Sequence, residues 1–183
     1  MVDTLDRLLD QYGPEPKAVV WEHNTHVGDA RATDMSAAGM VSTGQLVRER
    51  HADDGVLLIG SATHRGSVIA SDSWNGPVRR MPVPPARPGS LETLLHEARD
   101  GADALFVFPT DQEDRNGWLR QVLDHRAVGV IFQPDVERWG NYVPTVPGRR
   151  YDALLYCDRT TALSPLHPVE RADTEPEAFP SGD

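Results

Sequence analysis

Cysteine and lysine are almost absent, with Cys157 and Lys17 the single examples among 183 residues. A lone cysteine excludes an internal disulfide. Cys157 lies in the apolar run ALLYC with no His or Asn pattern beside it, so it reads as a small buried hydrophobe rather than a nucleophile. Long apolar runs are also missing, and none approaches the ~20 residues of a membrane helix, so no membrane partner is expected. The opening MVDTLDRLLDQYG mixes acids with leucines and has no basic stretch, unlike a signal peptide, which makes the cytoplasm the expected compartment. Positive charge is scarce: 18 Lys and Arg face 28 Asp and Glu, for a formal net charge of -10. A surface so short of cations excludes nucleic acid as a main partner, since phosphate binding needs a basic face. There is no Gly-rich phosphate loop, no HExxH, no cysteine pair and no internal repeat.

What is present fits one globular domain, over residues 1–167, followed by an acidic, Pro-containing stretch, 168–183, expected to be a disordered tail. Leu5, Leu8 and Leu9 among Asp3, Asp6 and Asp10 predict a short amphipathic helix stopping at Gly13-Pro14. KAVVW (17–21) reads as a buried strand. STGQLVRERH (42–51) reads as a helix capped by Ser42 or Thr43, with Leu46 and Val47 facing the core. GVLLIGSATHRGSVIAS (55–71) reads as two strands joined by a polar turn that carries His64 and Arg65. Five prolines in 74–90 predict an irregular loop. Ser90 opens a helix with Leu91, Leu94 and Leu95 as its apolar stripe, Glu92 and Glu97 on the polar side, and Gly101 as its stop. ALFVF (104–108), AVGVIF (127–132) and YDALLYC (151–157) predict further strands, with a helix near NGWLRQVLDH. Alternation of short apolar strands with helices points to an α/β layered fold with a mainly parallel sheet and flanking helices.

In such sheets ligands gather at the carboxyl ends of strands. The polar block WEHNTHVGDAR (21–31) follows one predicted strand, and His64 with Arg65 follows another. His23 and His26 therefore come first as candidate proton-transfer groups, with Glu22 or Asp29 to orient a ring, Arg31 to stabilise an oxyanion, and Asn24 in the same turn. A polar loop in which His23 caps and Asn24 turns the chain accounts for the same residues. A metal is a further alternative, with His23 and His26 as two zinc ligands and Asp29 or His64 as a third, although HxxH spacing alone is a weak signal. His51, His96 and His125 fall on predicted helices, and His167 lies beside Pro168; each reads as a solvated surface group.

The run KAVVWEHNTHVGDARATDM, followed by GQLVRER, ATHRGSVIA, MPVPPARPGSLETLLH, AVGVIFQPDVERWGNYVPTV, YDALLY and TALSPL, resembles the erythromycin esterase family over residues 1 to about 167. The HNxHxGDAR block is its most specific part. The resemblance implies a hydrolase of an ester or lactone, a macrolide-like one among the candidates, that activates water with histidine and glutamate and uses no cofactor. It assigns His23 and His26 to the active-site cleft, with Glu22 as a guess at the base and Asn24, Asp29, Arg31, His64 and Arg65 as substrate-side groups. It also marks a departure. The family's GExTHG motif, which supplies its presumed general base, has no counterpart here, so the resemblance is to the C-terminal part of an incomplete version of the family fold. Three readings follow: one part of an ester or lactone hydrolase, a non-catalytic remnant or small-molecule or partner-binding module, and a metal-dependent hydrolase. The expected partners are a small-molecule ester or lactone and either a missing N-terminal half or a second copy associating through an exposed sheet edge.

Overall fold

The computed structural model describes residues 1–164, so the predicted tail and His167 lie outside the described residues. Helix α1 spans Val2–Tyr12 and ends at Gly13, as the leucine spacing predicts. The next predicted element does not form. KAVVW is extended chain outside any strand, and Trp21 is 94% exposed. Periodicity identified an apolar run there, but no neighbouring strand pairs with it. A single turn, α2 (Asn24–Val27), follows, and then two 3-10 turns over Ala30–Ala32 and Asp34–Ala38. Helix α3 (Thr43–Arg50) starts on the Ser42 hydroxyl, which accepts the Gln45 N–H at 3.2 Å. Its buried face is Gly44 and Gln45, while Leu46 and Val47 are only half-buried. Gly44 seats α3 on α2, because a Cβ there would lie 1.8 Å from the Val27 carbonyl oxygen.

The segment 55–71 forms one strand, not two: β1 runs unbroken over Ile59–Ala70. The Pro-rich stretch is also not wholly irregular, since β2 (Arg79–Val83) pairs antiparallel with β1 and includes Pro82 opposite Ser67. Strand β2 lies at the sheet edge, where a proline's missing N–H costs no ladder bond. Helix α4 (Leu91–Arg99) is capped by Ser90, and its apolar stripe of Leu91 and Leu95 is fully buried. Strand β3 (Ala104–Val107) comes next. The predicted helix near 116–125 is instead a 3-10 turn, Gly117–Arg120, running into β4 (Leu123–Arg126). AVGVIF makes no strand of its own beyond an isolated bridge from Ile131 to Ser71. A single turn, α5 (Glu137–Gly140), then leads to β5 (Tyr142–Thr145), α6 (Pro147–Arg150) and β6 (Ala153–Thr160).

The main sheet has four strands in the order β2-β1-β6-β3, and β4 and β5 form a separate antiparallel pair. Only β1 and β6 run parallel; β1–β2 and β3–β6 are antiparallel, so the expectation of a mainly parallel sheet is corrected. The chain is a mixed α/β fold. Its parallel pair is the one formed by distant segments, with the intervening strands returning antiparallel along the edges. Among the described residues no helix is long and apolar enough to cross a membrane.

The sheet's two faces differ. Ala62, Leu154 and Tyr156 on one face pack with Leu91 and Leu95 of α4, and with Leu58, Phe108, Leu119 and Tyr151, into the principal core. Gly60 on this face lets the Tyr151 ring lie flat on β1, since a Cβ there would come within 2.7 Å of the ring. The opposite face carries Ile59, Leu105, Val107 and Leu155, placed side by side by the pairs Leu105↔Leu155, Val107↔Ala153 and Ile59↔Ala153. These four are exposed, Leu105 at 62% and Val107 at 76%. A contiguous apolar face of this kind is a sticky surface. Replacing Leu105 and Leu155 together by glutamate is expected to lower binding of an apolar dye and reduce any self-association. Because both side chains already face water, stability should change by only about 0.5 kcal/mol each. Sedimentation, dye fluorescence and thermal unfolding check this, and a loss of several kcal/mol would show that the face is covered.

Candidate functional site

The HNTH turn is held on three sides. His23 caps α2, with its Nδ1 accepting the Thr25 N–H at 3.2 Å and facing the Thr25 hydroxyl at 2.8 Å. Its Nε2 lies 2.9 Å from the Val128 carbonyl, which can only accept, so Nε2 carries the proton and the ring is neutral. Both nitrogens are thus committed. Burial pushes the His23 pKa below the ordinary histidine value, outweighing the Val128 bond, which acts in the opposite direction.

Asn24 hooks onto β1. Its Nδ2 donates to the Ser61 carbonyl at 2.6 Å, and its Oδ1 accepts the Ser61 N–H at 3.0 Å. Strand β2 pairs with β1 only from Gly66 onward, so this side chain fills the edge that β2 leaves open. The Asn24 carbonyl in turn accepts from the buried Arg150 guanidinium at 3.1 Å. Behind Asn24, its Nδ2 is 3.3 Å from His125 Nε2, and His125 Nδ1 is 2.6 Å from the Glu92 carboxylate. Sequence reasoning placed His125 and Glu92 on solvated faces, but they are 1% and 0% exposed. Burial alone would raise the Glu92 pKa, but the bonds from the His125 ring and the Arg126 N–H outweigh it and hold the carboxyl below its ordinary value.

His26 presents its ring to solvent, and no hydrogen bond to it is formed among the described residues. Glu22 is half-buried, with one carboxylate oxygen inside the protein and no hydrogen-bond partner among the described residues. Asp29 and Arg31 are tied into a structural knot. Asp29 accepts from the Arg31 Nε and Nη2 at 3.0 and 2.7 Å and pairs with Arg48 at 3.2 Å, while Arg31 also reaches Glu49 at 3.0 Å. Burial would raise the Asp29 pKa, yet the Arg31 bonds hold it below the ordinary carboxylate value.

His64 and Arg65 sit within β1, not on a turn. The buried His64 ring stacks on His96 with centroids 4.0 Å apart, and His96 Nδ1 bonds Asp158 at 2.5 Å. Arg65 lies 3.8 Å from the same Asp158. This second cluster pins α4 to β6 and, among the described residues, shares no hydrogen bond, ion pair or ring contact with the HNTH turn. His51, at the end of α3, pairs with Asp6 and Asp54 at 2.9 and 2.8 Å. Among the described residues no three His, Cys, Asp or Glu side chains converge as a metal site. His23 and Asp29 already spend their polar atoms on Val128, Thr25, Arg31 and Arg48, whereas the buried His64 Nδ1 has no hydrogen-bond partner among the described residues. Two shallow cavities of about 270 and 250 Å³ share Gln112 and Arg149; Asp29 and Arg31 line the smaller one, and His125 lines neither.

The architecture is thus an α/β sheet layer whose β1 edge receives a histidine-bearing turn. The family model described as Erythromycin esterase matches residues 1–160. The chain belongs to the erythromycin esterase family. Its fold is similar to that of a Bacillus cereus protein (TM-score 0.59, 20% identity, covering 78% of this chain and 33% of that one). A succinoglycan biosynthesis protein aligns with TM-score 0.56 and 20% identity over 78% of this chain and 33% of that one. A mutant of the erythromycin esterase EreC in its open conformation aligns with TM-score 0.55 and 17% identity over 86% of this chain and 35% of that one. The chain therefore spans about a third of the length of these solved structures.

The lowered His23 pKa gives a signed expectation. The unfolded chain takes up a proton first as pH falls, from about 6.5 downward. The stabilisation from the neutral ring is therefore complete above that value and is lost as pH drops through it toward the folded pKa. The His23 ring signal in an NMR titration should have its midpoint below about 6.5, with faster hydrogen exchange at the Thr25 N–H in the same window. A midpoint at or above the ordinary value would contradict the cap geometry.

Proposed function

We propose that this chain carries the histidine-bearing wall of an ester- or lactone-hydrolysing site, with His26 as the proton-transfer group and Glu22, the carboxylate immediately before HNTH, as its acidic partner. The single observation behind this reading is the division within HNTH. His23 and Asn24 spend their polar atoms on holding the turn, while the His26 ring, one helical turn on, is exposed and uncommitted among the described residues. Family membership supports hydrolysis as the chemistry, and EreC is an erythromycin esterase.

In the proposed reaction a water oxygen attacks the carbonyl carbon of the ester while its proton passes to a His26 ring nitrogen. The tetrahedral intermediate collapses with cleavage of the carbon–oxygen single bond. His26 then returns the proton to the departing alkoxide, leaving acid and alcohol. Arg31 is a poor oxyanion donor in this geometry because Asp29 and Glu49 hold its guanidinium. The charge-stabilising groups are proposed to come from the part of the fold that the solved relatives carry beyond the third matched here. Cytoplasmic action on a small macrolide-like lactone fits this reading.

A second reading, a binding module without catalysis, is favoured by the two cavities, both lined by Arg149 and one also by Arg31, with neither His125 nor Glu92 in their walls. Incubating the purified chain with a nitrophenyl ester and with a macrolide, and following acid release, separates the two. His26→Ala is expected to lower the hydrolysis rate at least about 100-fold, the lower end for loss of a general base. If His26→Ala keeps the wild-type rate, the assignment is wrong. If the wild-type chain binds the macrolide by calorimetry without hydrolysing it, the binding-module reading holds.

A further inference from the structure

We propose that Glu92 is the positioning residue of the HNTH turn: by holding the His125 ring as the Nδ1–H tautomer, it leaves a bare Nε2 to accept the second amide hydrogen of Asn24, and so sets α2 against the open edge of β1. The assignment follows from donors and acceptors alone. The Ser61 N–H can only donate and the Ser61 carbonyl can only accept, so Asn24 must present Oδ1 to the first, at 3.0 Å, and its amide nitrogen to the second, at 2.6 Å. That nitrogen's other hydrogen faces His125 Nε2 at 3.3 Å. Nε2 must then be an acceptor, which puts the ring proton on Nδ1, where the Glu92 carboxylate accepts it at 2.6 Å. The carboxylate is itself oriented by the Arg126 N–H at 2.9 Å.

The opposite tautomer would set an N–H against an NH2 group, donor against donor, and release Asn24 from Ser61. His125 is held laterally as well, edge-on to Tyr151 with ring centroids 5.8 Å apart. His23 is the complementary case, fixed as the Nε2–H tautomer by Val128. Adjacent residues of one motif are therefore docked through two histidines of opposite tautomer, one of them 102 positions along the chain. The consequence for hydrolysis rests on the His26 reading above, whereas the tautomers and the docking of α2 are independent of any substrate.

The test uses the whole chain with its histidine rings labelled with nitrogen-15, read by long-range proton–nitrogen correlation at neutral pH, together with amide hydrogen exchange. In the wild-type chain His125 is expected to carry its proton on Nδ1 and His23 on Nε2. Glu92→Ala is expected to move the His125 proton to Nε2 and to speed exchange of the Ser61 amide by about tenfold or more, as expected for loss of a buried hydrogen bond. The Val68 and Ile69 amides, in the β1–β2 ladder, should be unaffected. Should Glu92→Ala fail to fold, Asn24→Ala leaves the Glu92–His125 pair intact, and the His125 proton is expected to stay on Nδ1 while the Ser61 amide exchanges faster. A wild-type His125 protonated on Nε2, unchanged Ser61 exchange in a folded Glu92→Ala chain, or a proton moved to Nε2 in Asn24→Ala would each overturn the proposal. Hydrolysis that His26→Ala leaves at the wild-type rate, in a chain with the expected tautomers, would sink the hydrolase reading and leave this one standing.

Discussion

The buried carboxylate of Glu92 is the constraint on which the arrangement around α2 depends. It has no exposed surface, and it accepts from two consecutive residues of β4, the His125 ring and the Arg126 N–H. Arg126 extends the same network. Its guanidinium donates to the His64 carbonyl of β1 at 2.8 Å and the Pro84 carbonyl after β2 at 3.0 Å, and pairs with Glu137 of α5 at 2.6 Å. Charges so deeply buried are tolerated only when they are paired and hydrogen-bonded, and removing one partner of such a pair costs about 3–5 kcal/mol. Apolar residues of the same volume would often be as stable, so what the ionic network adds is direction. It fixes which atom of His125 faces Asn24, and hydrophobic packing has no means of doing that.

Direction matters here because the turn it serves is very short. Four residues, Asn24–Val27, cannot hold themselves as an isolated helix, since a single turn sets several dihedrals for one or two bonds. The turn persists because outside groups satisfy its ends. His23 caps its start, Arg150 takes the Asn24 carbonyl, and Gly44 lets α3 close on the Val27 carbonyl. Beyond the turn, Asp29 repeats the pattern by accepting from Arg31 and Arg48. Thus the HNxHxGDAR block is mostly scaffold in this chain, with its polar residues facing other segments of the same protein.

Elements governed by local signals were legible in the sequence. Helices α3 and α4 begin at Ser42 and Ser90, where a hydroxyl satisfies an orphan N–H, and that requirement is visible within a few residues. Elements governed by distant partners were not. KAVVW and AVGVIF have the composition of strands but lack paired neighbours along their length, while RRMPV, broken by a proline, becomes one because β1 offers it an edge. Glu92 shows the same limit at one residue. Placed three positions before Leu95 on α4, it stands at the margin of the apolar stripe, and a charge there reads as solvent-facing. Only the arrival of β4, with a ring and an N–H to donate, makes its burial possible. The family likeness singled out the HNTH block, but it carried no information about which atoms of that block are free.

That distinction bears on how the motif is read. Two histidines three residues apart look equivalent in a sequence, and both are natural candidates for proton transfer. In the folded chain they differ by what their neighbours require. A general base needs a lone pair that is not already shared, and His23 has given its one lone pair to the Thr25 cap and its N–H to Val128. Protonating it would convert an acceptor into a donor facing the Thr25 N–H, so proton uptake at His23 is coupled to loss of the turn itself. The His26 nitrogens, by contrast, form no hydrogen bond among the described residues. The same turn geometry that spends one ring on structure leaves the other exposed, while Asn24 between them is held by Ser61 and His125.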